Sequence, residues 1–256
     1  MNYTIVFSIF AGFGICLAIA WNCRGACRRL AVFFTCLCLG LPLVVSAADA
    51  PGKPPVCRIM PVGDSITEGG KTFANWRPLL LEKLKAAGYQ VEYVGSKQSP
   101  SPLGPLAHEG YGGKNAEFLA ATVGKNFQQH PADIVLLHCG HNHDVAEKPV
   151  PGIVAATEKL IASCRAVNPK VTILLAQVIT SGKLPKYSYI PELNQELEKL
   201  AQRLNTPDQP VILVNQAKGF DFTQDAVADK VHPNASGAEK MAATWFAALE
   251  KILKKP

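Results

Sequence analysis

Three side chains in this sequence have the types and the spacing of a serine-based acyl-transfer site. Ser65 lies directly behind an apolar run, and Asp229 and His232 are close together near the other end of the chain. A serine hydroxyl is a weak nucleophile unless a base removes its proton, and the base needs a third group to orient it. We therefore predict that Ser65 attacks a carbonyl, that His232 acts as general base and then general acid, and that Asp229 orients the imidazole.

Acyl transfer also requires donors that hold the negative oxygen of the tetrahedral intermediate. We predict three of them: the backbone N–H of Ser65, the backbone N–H of Gly113 and the side-chain amide of Asn142. Gly113 has no Cβ, so its backbone can approach a substrate closely, and the Asn142 amide donates without titrating. Water then releases the acyl group, so the predicted reaction is the hydrolysis of an ester.

The elements that must position these residues are short apolar runs that alternate with helical patterns. The five predicted strands are residues 57–62, 91–95, 133–139, 171–178 and 211–215. The five predicted helices are residues 75–87, 115–127, 152–167, 191–204 and 235–253, the last behind an N-cap at Asn234. This alternation predicts a single α/β domain.

Apolar strands that alternate with helices indicate a parallel sheet covered on both faces. In such sheets, ligands bind beyond the carboxyl ends of the strands. Ser65 follows the first predicted strand, the Gly-rich segment 108–113 follows the second, and segment 140–144 follows the third. Asp229 and His232 precede the last helix. We therefore expect loops that are distant in sequence to converge at one edge of the sheet.

At these positions the chain resembles the SGNH (GDSL) hydrolase superfamily. The matching blocks are, in order, Gly63-Asp64-Ser65, Gly113, Gly140-His141-Asn142 and Asp229-x-x-His232. The resemblance spans residues 57–253 and implies a flavodoxin-like three-layer α/β/α sandwich with a five-stranded parallel sheet. It also implies the same nucleophile, oxyanion donors and triad that the residue types predict.

A narrower similarity is to secreted carbohydrate acetylesterases, in particular the acetylxylan esterases of carbohydrate esterase family three. Segments 58–69, 76–80, 93–96 and 108–113 show it. The similarity implies that acetyl groups are removed from sugar hydroxyls and that the partner is an acetylated carbohydrate. Two alternatives stay open: a lipase- or lysophospholipase-type GDSL esterase, and a carbohydrate-binding relative without catalytic activity.

Two positions depart from the superfamily pattern. The third block usually continues Gly-x-Asn-Asp, whereas here His143 follows Asn142, and Gly112 replaces a serine that is frequent in the second block. Neither change removes a catalytic atom, so we expect both to alter substrate contacts. The predicted substrate-binding residues are Asp64, Tyr111, His141 and His143. The alternative for Asp64 is a brace of the serine turn, and the alternative for Tyr111 is core packing.

A metal site is the alternative interpretation of a titratable cluster, which consists of His138, His141, His143 and Asp144. We predict no metal, because the Ser-His-Asp set already accounts for hydrolysis and zinc usually needs three well-placed protein ligands. We also predict no nucleotide cofactor. The glycines of segment 110–113 lack the Gly-Lys-Ser/Thr ending of a phosphate loop and do not form a G-x-G-x-x-G turn behind a strand.

The first 50 residues have the pattern of a targeting segment. Two apolar runs, residues 5–21 and 30–45, are separated by three arginines. The second run has the basic flank, short apolar centre and small-residue exit of a secretory signal peptide, so we predict cleavage near Ala48 or Ala50 and export to the periplasm or the medium. The first run is an upstream extension or a membrane anchor, and a membrane is a partner only if this run is retained.

The remainder, residues 51–256, is the predicted catalytic domain. The whole chain has a net charge of +6 without clustered basic and aromatic residues, which argues against nucleic acid as a partner. Cys57, Cys139 and Cys164 lie outside the leader and have no C-x-x-C spacing. We expect buried free thiols, with one disulfide as the alternative. The oligomeric state is left open.

Overall fold

The computed structural model describes residues 56–255, so the predicted leader and its cleavage site lie outside the described residues. The strands are β1 (Cys57–Gly63), β2 (Val91–Tyr93), β3 (Lys97–Ser99), β4 (Leu106–Gly110), β5 (Ile134–His138), β6 (Thr172–Gln177) and β7 (Val211–Asn215). The helices are α1 (Ser65–Glu68), α2 (Trp76–Ala86), α3 (Ala116–Gln129), α4 (Val150–Val167), α5 (Ile190–Leu204) and α6 (Ala235–Leu249). Across residues 56–255, no helix has both the length and the apolar character that a membrane crossing requires.

The strands form one mostly parallel sheet around β1. β5 pairs with one edge of β1, and β6 and β7 follow outward, all parallel. The other edge of β1 is shared, because β2 pairs with residues 57–59 and β4 pairs with Val62 and Gly63. β3 pairs antiparallel with β4. The carboxyl ends of β1, β4 and β5 therefore lie side by side, where the sequence predicts the site.

The α/β class is confirmed, but the sheet has seven strands rather than the expected five. All five predicted strands are present, and β3 and β4 are additional. Neither strand has an apolar run that would predict it, because β3 has no apolar residue and β4 contains a histidine and a glutamate. Segment 108–113 is therefore not one loop. His108 to Gly110 complete β4, and only residues 111–113 form a loop behind it.

Two apolar cores, one on each face of the sheet, give the three layers. Helices α3, α4 and α5 cover one face, and α2 and α6 cover the other. Neighbouring residues of a strand serve opposite faces, as the pleat requires: Met60 belongs to the first core and Ile59 to the second. Asn234 caps α6 as predicted, since its side chain accepts a hydrogen bond of 3.0 Å from the N–H of Gly237.

Candidate active site

The three residues of the predicted relay lie in one hydrogen-bonded chain. The Ser65 Oγ is 2.7 Å from His232 Nε2, and His232 Nδ1 is 2.6 Å from an Asp229 carboxylate oxygen. Ser65 is the first residue after the turn that leaves β1, and the other two lie in the loop before α6. This geometry allows His232 to take the serine proton while Asp229 holds the ring in the required tautomer.

A tight turn holds Asp229 and His232 in register. One carboxylate oxygen of Asp229 accepts hydrogen bonds from the N–H groups of Val231 (2.8 Å) and His232 (2.9 Å), which leaves the other oxygen for the imidazole. Lys230, between them, has a φ of 56°. Burial opposes ionisation of Asp229, but the hydrogen bonds from His232 and the backbone outweigh it, so its pKa lies below the ordinary value. The carboxylate is therefore charged at neutral pH.

An aromatic ring covers the imidazole of the relay. Phe73, in the loop between α1 and α2, stacks on His232 with ring centroids 4.2 Å apart and planes inclined by 21°. The stack fixes the ring plane from a second side. Phe73 could not be predicted from the sequence, because nothing in its neighbourhood links it to a residue so distant in the chain.

The serine turn is built into the protein interior. Asp64 is 1% exposed, and one of its carboxylate oxygens accepts the N–H of Ile66 at 2.9 Å, which caps the single turn of α1. The buried Arg77 reaches back from α2 and donates to the carbonyls of Thr67 (2.6 Å) and Glu68 (2.8 Å). The nucleophile therefore starts a helix that is pinned at both ends.

The predicted oxyanion donors come from adjoining segments. Gly113 has a φ of +72°, a conformation that favours glycine, and Asn142 has a φ of 68°. The Asn142 side-chain amide donates to the carbonyl of Lys114 at 2.9 Å, which ties the loop after β5 to the loop after β4. Within residues 56–255, the N–H groups of Ser65 and Gly113 make no hydrogen bond. Both donors are thus available to a substrate oxygen.

Two of the four predicted substrate-binding residues lie below the surface. Asp64 and His141 are 1% and 2% exposed, with a carboxylate oxygen 3.7 Å from the His141 Nδ1. Burial raises the pKa of Asp64 to about 6 and lowers that of His141 to about 3. A substrate cannot reach side chains in these positions, so the predicted contact role is corrected. Asp64 braces the serine turn, which is the alternative that its sequence position offered.

The other two predicted substrate contacts are held by protein groups. His143 lies between two carboxylates, 3.0 Å from Glu117 and 3.1 Å from Glu147. The Tyr111 hydroxyl donates to Glu109 at 2.6 Å and accepts from Asn126 at 2.8 Å. Tyr111 is partly exposed and follows β4 directly, so its ring can still meet a ligand.

The rings of His138 and His141 in the predicted cluster are stacked, with centroids 6.1 Å apart. His138 accepts the N–H of Ile179 through Nε2 at 3.3 Å, and burial lowers its pKa to about 4. Within the described part of the chain, no three His, Cys, Asp or Glu side chains are placed to hold a metal ion. The three cysteines outside the leader are free thiols, and Cys139 and Cys164 are buried. The expected burial is found for Cys139 and Cys164, whereas Cys57 is only partly buried.

Glu68 is an acid close to the nucleophile that was not predicted from the sequence. Glu68 ends α1, and its carboxylate accepts the N–H of Gly112 at 2.6 Å and pairs with Lys97. A signal existed, because residues three apart on a helix share a face and Glu68 is three residues after Ser65. Its partners Lys97 and Gly112 lie in β3 and in the loop after β4, so the spacing of residues along the sequence does not reveal them.

The fold and the site together define a class of protein. A three-layer α/β/α domain with a Ser-His-Asp array beyond the carboxyl ends of its parallel strands is an architecture of acyl hydrolases. Residues 62–240 match the model of the GDSL-like lipase/acylhydrolase family, and the chain belongs to that family.

Three individual proteins show which members of the family this chain is similar to. A multidomain esterase from Ruminococcus flavefaciens is 27% identical over an alignment 248 residues long, which covers 84% of this chain and 31% of that protein. The chain thus spans about a third of that relative. A carbohydrate esterase family 3 structure from Talaromyces cellulolyticus is 25% identical with a TM-score of 0.68, covering 77% of this chain and 98% of the other. A family 3 carbohydrate esterase from Clostridium thermocellum is 26% identical with a TM-score of 0.66, covering 78% and 100%. The chain is therefore a member of the GDSL family that is similar to family 3 carbohydrate esterases.

Proposed function

We propose that this protein is an exported serine esterase that removes acetyl groups from carbohydrate. The observation that carries the proposal is the continuous chain from the Ser65 hydroxyl through His232 to Asp229, with both links under 3 Å. The likeness to family 3 carbohydrate esterases supports the choice of acyl group and of the sugar as its carrier.

In the proposed mechanism, Ser65 Oγ attacks the acetyl carbonyl while His232 Nε2 takes its proton. Asp229 stabilises the imidazolium that forms. The N–H groups of Ser65 and Gly113 and the Asn142 amide hold the negative oxygen. His232 then protonates the departing sugar hydroxyl, and a water molecule, deprotonated by the same imidazole, releases acetate from Ser65.

One observation favours the second candidate, a lipase-type esterase that acts on longer acyl chains. A groove of about 840 Å³ begins at Phe73, the ring that stacks on His232. Its apolar lining includes Leu79, Pro100, Pro102 and Leu106. A groove of this size next to the relay can take an acyl chain well beyond acetate, so acyl length separates the two candidates.

Export is part of the proposal and is supported by the signal-peptide pattern of residues 30–50. The test is to express the full chain and to sequence the N-terminus of the protein recovered outside the cytoplasm. An N-terminus near Ala48 or Ala50 is expected. Recovery only in the cytoplasm with residues 30–45 intact contradicts export and leaves the esterase proposal untouched.

The esterase proposal is tested with aryl esters of increasing acyl length and with a panel of acetylated glycans. We expect acetate esters to be hydrolysed fastest, acetate to be released from at least one glycan, and Ser65→Ala to lose both activities while it remains folded. Faster turnover of long acyl esters favours the lipase-type candidate. An undiminished rate in Ser65→Ala refutes the assignment of the nucleophile.

A further inference from the structure

Glu68 connects the two segments that meet at the nucleophile. Its backbone belongs to α1, the single turn that Ser65 starts, and its side chain crosses to the loop behind β4. There the carboxylate accepts the N–H of Gly112 at 2.6 Å. Lys97, from β3, pairs with the same carboxylate and also donates to the carbonyl of Gly110 at 2.9 Å.

These contacts fix the loop that carries a predicted oxyanion donor. The N–H of Tyr111 is bonded to the carbonyl of Gly63 at 2.9 Å, and the carbonyl of Lys114 accepts from Asn142 at 2.9 Å. Gly112 lies between these two anchors, and its N–H is bonded to Glu68. Gly113 has a left-handed φ of +72° and no atom within 4 Å of the position of a Cβ, so packing does not hold it. The N–H of Lys114 donates to the carbonyl of Tyr111 at 3.1 Å and closes a turn around Gly112 and Gly113. The bond from Gly112 to Glu68 ties this turn to α1, and so places the Gly113 N–H relative to Ser65.

The charge of Glu68 is balanced within the same cluster. A carboxylate close to a forming oxyanion raises the energy of that oxyanion unless a cation cancels it. Lys97 provides that cation, and the two side chains are only 33% and 31% exposed. The pair can thus supply a rigid acceptor to Gly112 without adding net negative charge next to the site.

We propose that Glu68 is a positioning residue, which holds the Gly112–Gly113 loop so that the Gly113 N–H meets the oxyanion formed on Ser65. This role rests on the proposed function. It explains why position 112 is glycine where the superfamily often has serine: a Cβ there would lie 2.5 Å from the Glu68 carboxylate oxygen and 3.8 Å from the Ser65 Cβ. In this chain, the Glu68 carboxylate takes the space of that side chain.

The test compares Glu68→Ala, Glu68→Gln and Gly112→Ala with the wild type on an aryl acetate. Misplacement of a catalytic donor by about 1 Å can cost about 100-fold in rate, so we expect kcat to fall roughly 30- to 100-fold in Glu68→Ala with KM within about twofold. Gln keeps an oxygen that can accept from Gly112, so its loss is expected to be about tenfold or less. In Gly112→Ala, the added methyl group displaces the Glu68 carboxylate and breaks the same contact. Its loss of kcat is expected to resemble that of Glu68→Ala.

The double variant Glu68→Ala/Gly112→Ala separates positioning from general damage. If both changes act through one contact, the double variant loses no more than the worse single variant. Inhibition by trifluoroacetone, which adds to the serine and forms an oxyanion, should weaken by the same factor as kcat/KM. Glu196→Gln is the matched control, since Glu196 pairs with Lys199 on the exposed surface of α5 and should leave kcat unchanged.

A kcat within twofold of wild type in Glu68→Ala overturns the inference, as do fully additive losses or a change in KM alone. Glu68→Gln has nearly the same volume and carries the test if the Ala variant does not fold. Wild type and Ser65→Ala are measured alongside. Absence of turnover in the wild type, or its persistence in Ser65→Ala, refutes the proposed function and the role of Glu68 with it. An unchanged kcat in Glu68→Ala, beside a wild type whose turnover depends on Ser65, refutes only the role of Glu68.

Discussion

The two halves of the relay are held in place by different means. The nucleophile side is buried, since Asp64 and Arg77 are each 1% exposed and bond to backbone groups of α1. The base side is a surface turn, in which the Asp229 and His232 side chains are 44% and 22% exposed. Its bonds run mostly between residues of the same short segment. One half thus depends on the core, and the other depends on local geometry.

This difference predicts that activity and stability separate on the base side and fall together on the nucleophile side. A change in the exposed turn removes few buried contacts, so the free energy of unfolding should barely move. A change in the buried network removes donors from interior carbonyls and should destabilise the fold as well.

Replacement of the base should abolish activity without destabilising the protein. We expect His232→Gln to lower kcat by about 10⁴-fold or more, because Ser65 then has no proton acceptor. The melting temperature should change by no more than about 3 °C, since the lost contacts are the Phe73 stack and partly exposed hydrogen bonds. Esterase assays and thermal denaturation measure the two quantities. A large drop in melting temperature would contradict the local character of this turn.

Removal of the orienting charge of Asp229 should lower kcat by a smaller factor than replacement of His232. Asp229→Asn retains an oxygen for the N–H groups of Val231 and His232, but its amide favours the wrong imidazole tautomer. We expect kcat to fall about 10²- to 10⁴-fold with the turn intact. Asp229→Ala should lose a similar factor and also some stability, because the turn bonds disappear. Equal melting temperatures for the Ala and Asn variants would show that these bonds do not hold the turn.

Loss of the buried guanidinium should destabilise the nucleophile side. Arg77 also donates to the carbonyl of Leu106 at 3.3 Å, so Arg77→Met removes donors from three interior carbonyls. We expect the free energy of unfolding to fall by about 2–4 kcal/mol, with activity reduced in parallel. Arg203→Met, which breaks the surface pair with Glu158, is the control and should cost at most about 1 kcal/mol. Urea denaturation of both variants checks the difference.

The free energy of unfolding should fall as the pH is lowered below 6.5. Burial lowers the pKa values of His108, His138 and His141 from 6.5 to about 3, 4 and 3, so the unfolded chain takes up protons that the folded chain does not. The stability they contribute is complete above pH 6.5 and falls as the pH falls towards 4. Asp64, whose pKa is raised to about 6, acts in the opposite direction below that pH.

Melting temperatures at pH 7, 6 and 5 measure this loss. His141→Phe supplies the comparison, because the ring nitrogens of His141 have no hydrogen-bond partner among the described residues and its ring packs against Tyr187. We expect the variant to have a flatter pH dependence than the wild type. Parallel curves for the two proteins would show that His141 does not titrate on unfolding.

The sequence predicts the fold wherever strands are apolar and helices have clear caps. β5 and β6 were found for this reason, and the capping role of Asn234 followed from its position. β3 and β4 were missed because β3 is a polar strand at the edge of the sheet and β4 buries polar side chains that have hydrogen-bond partners. His108 shows this: it is fully buried, with Nδ1 accepting the N–H of Gly110 at 2.9 Å and Nε2 2.7 Å from the Ser99 hydroxyl.

The same limit applies to the site. Ser65, Asp229 and His232 could be predicted together because the chemistry requires each residue type in a known role. The burial of Asp64 and His141 could not be predicted, because the sequence does not say which side of a loop faces the core. Glu68 escaped notice since its role depends on Lys97 and Gly112, which only the sheet topology brings to it.

The most direct test of the account is to label the protein with an aryl organophosphonate and to map the adduct by mass spectrometry. We predict one adduct per chain, on Ser65, formed at least about 100-fold more slowly in His232→Gln because the serine then has no base. The esterase activity of the wild type should disappear in step with labelling. An adduct on another residue, or full esterase activity in a protein labelled at Ser65, would contradict the central role of the Ser65–His232–Asp229 relay.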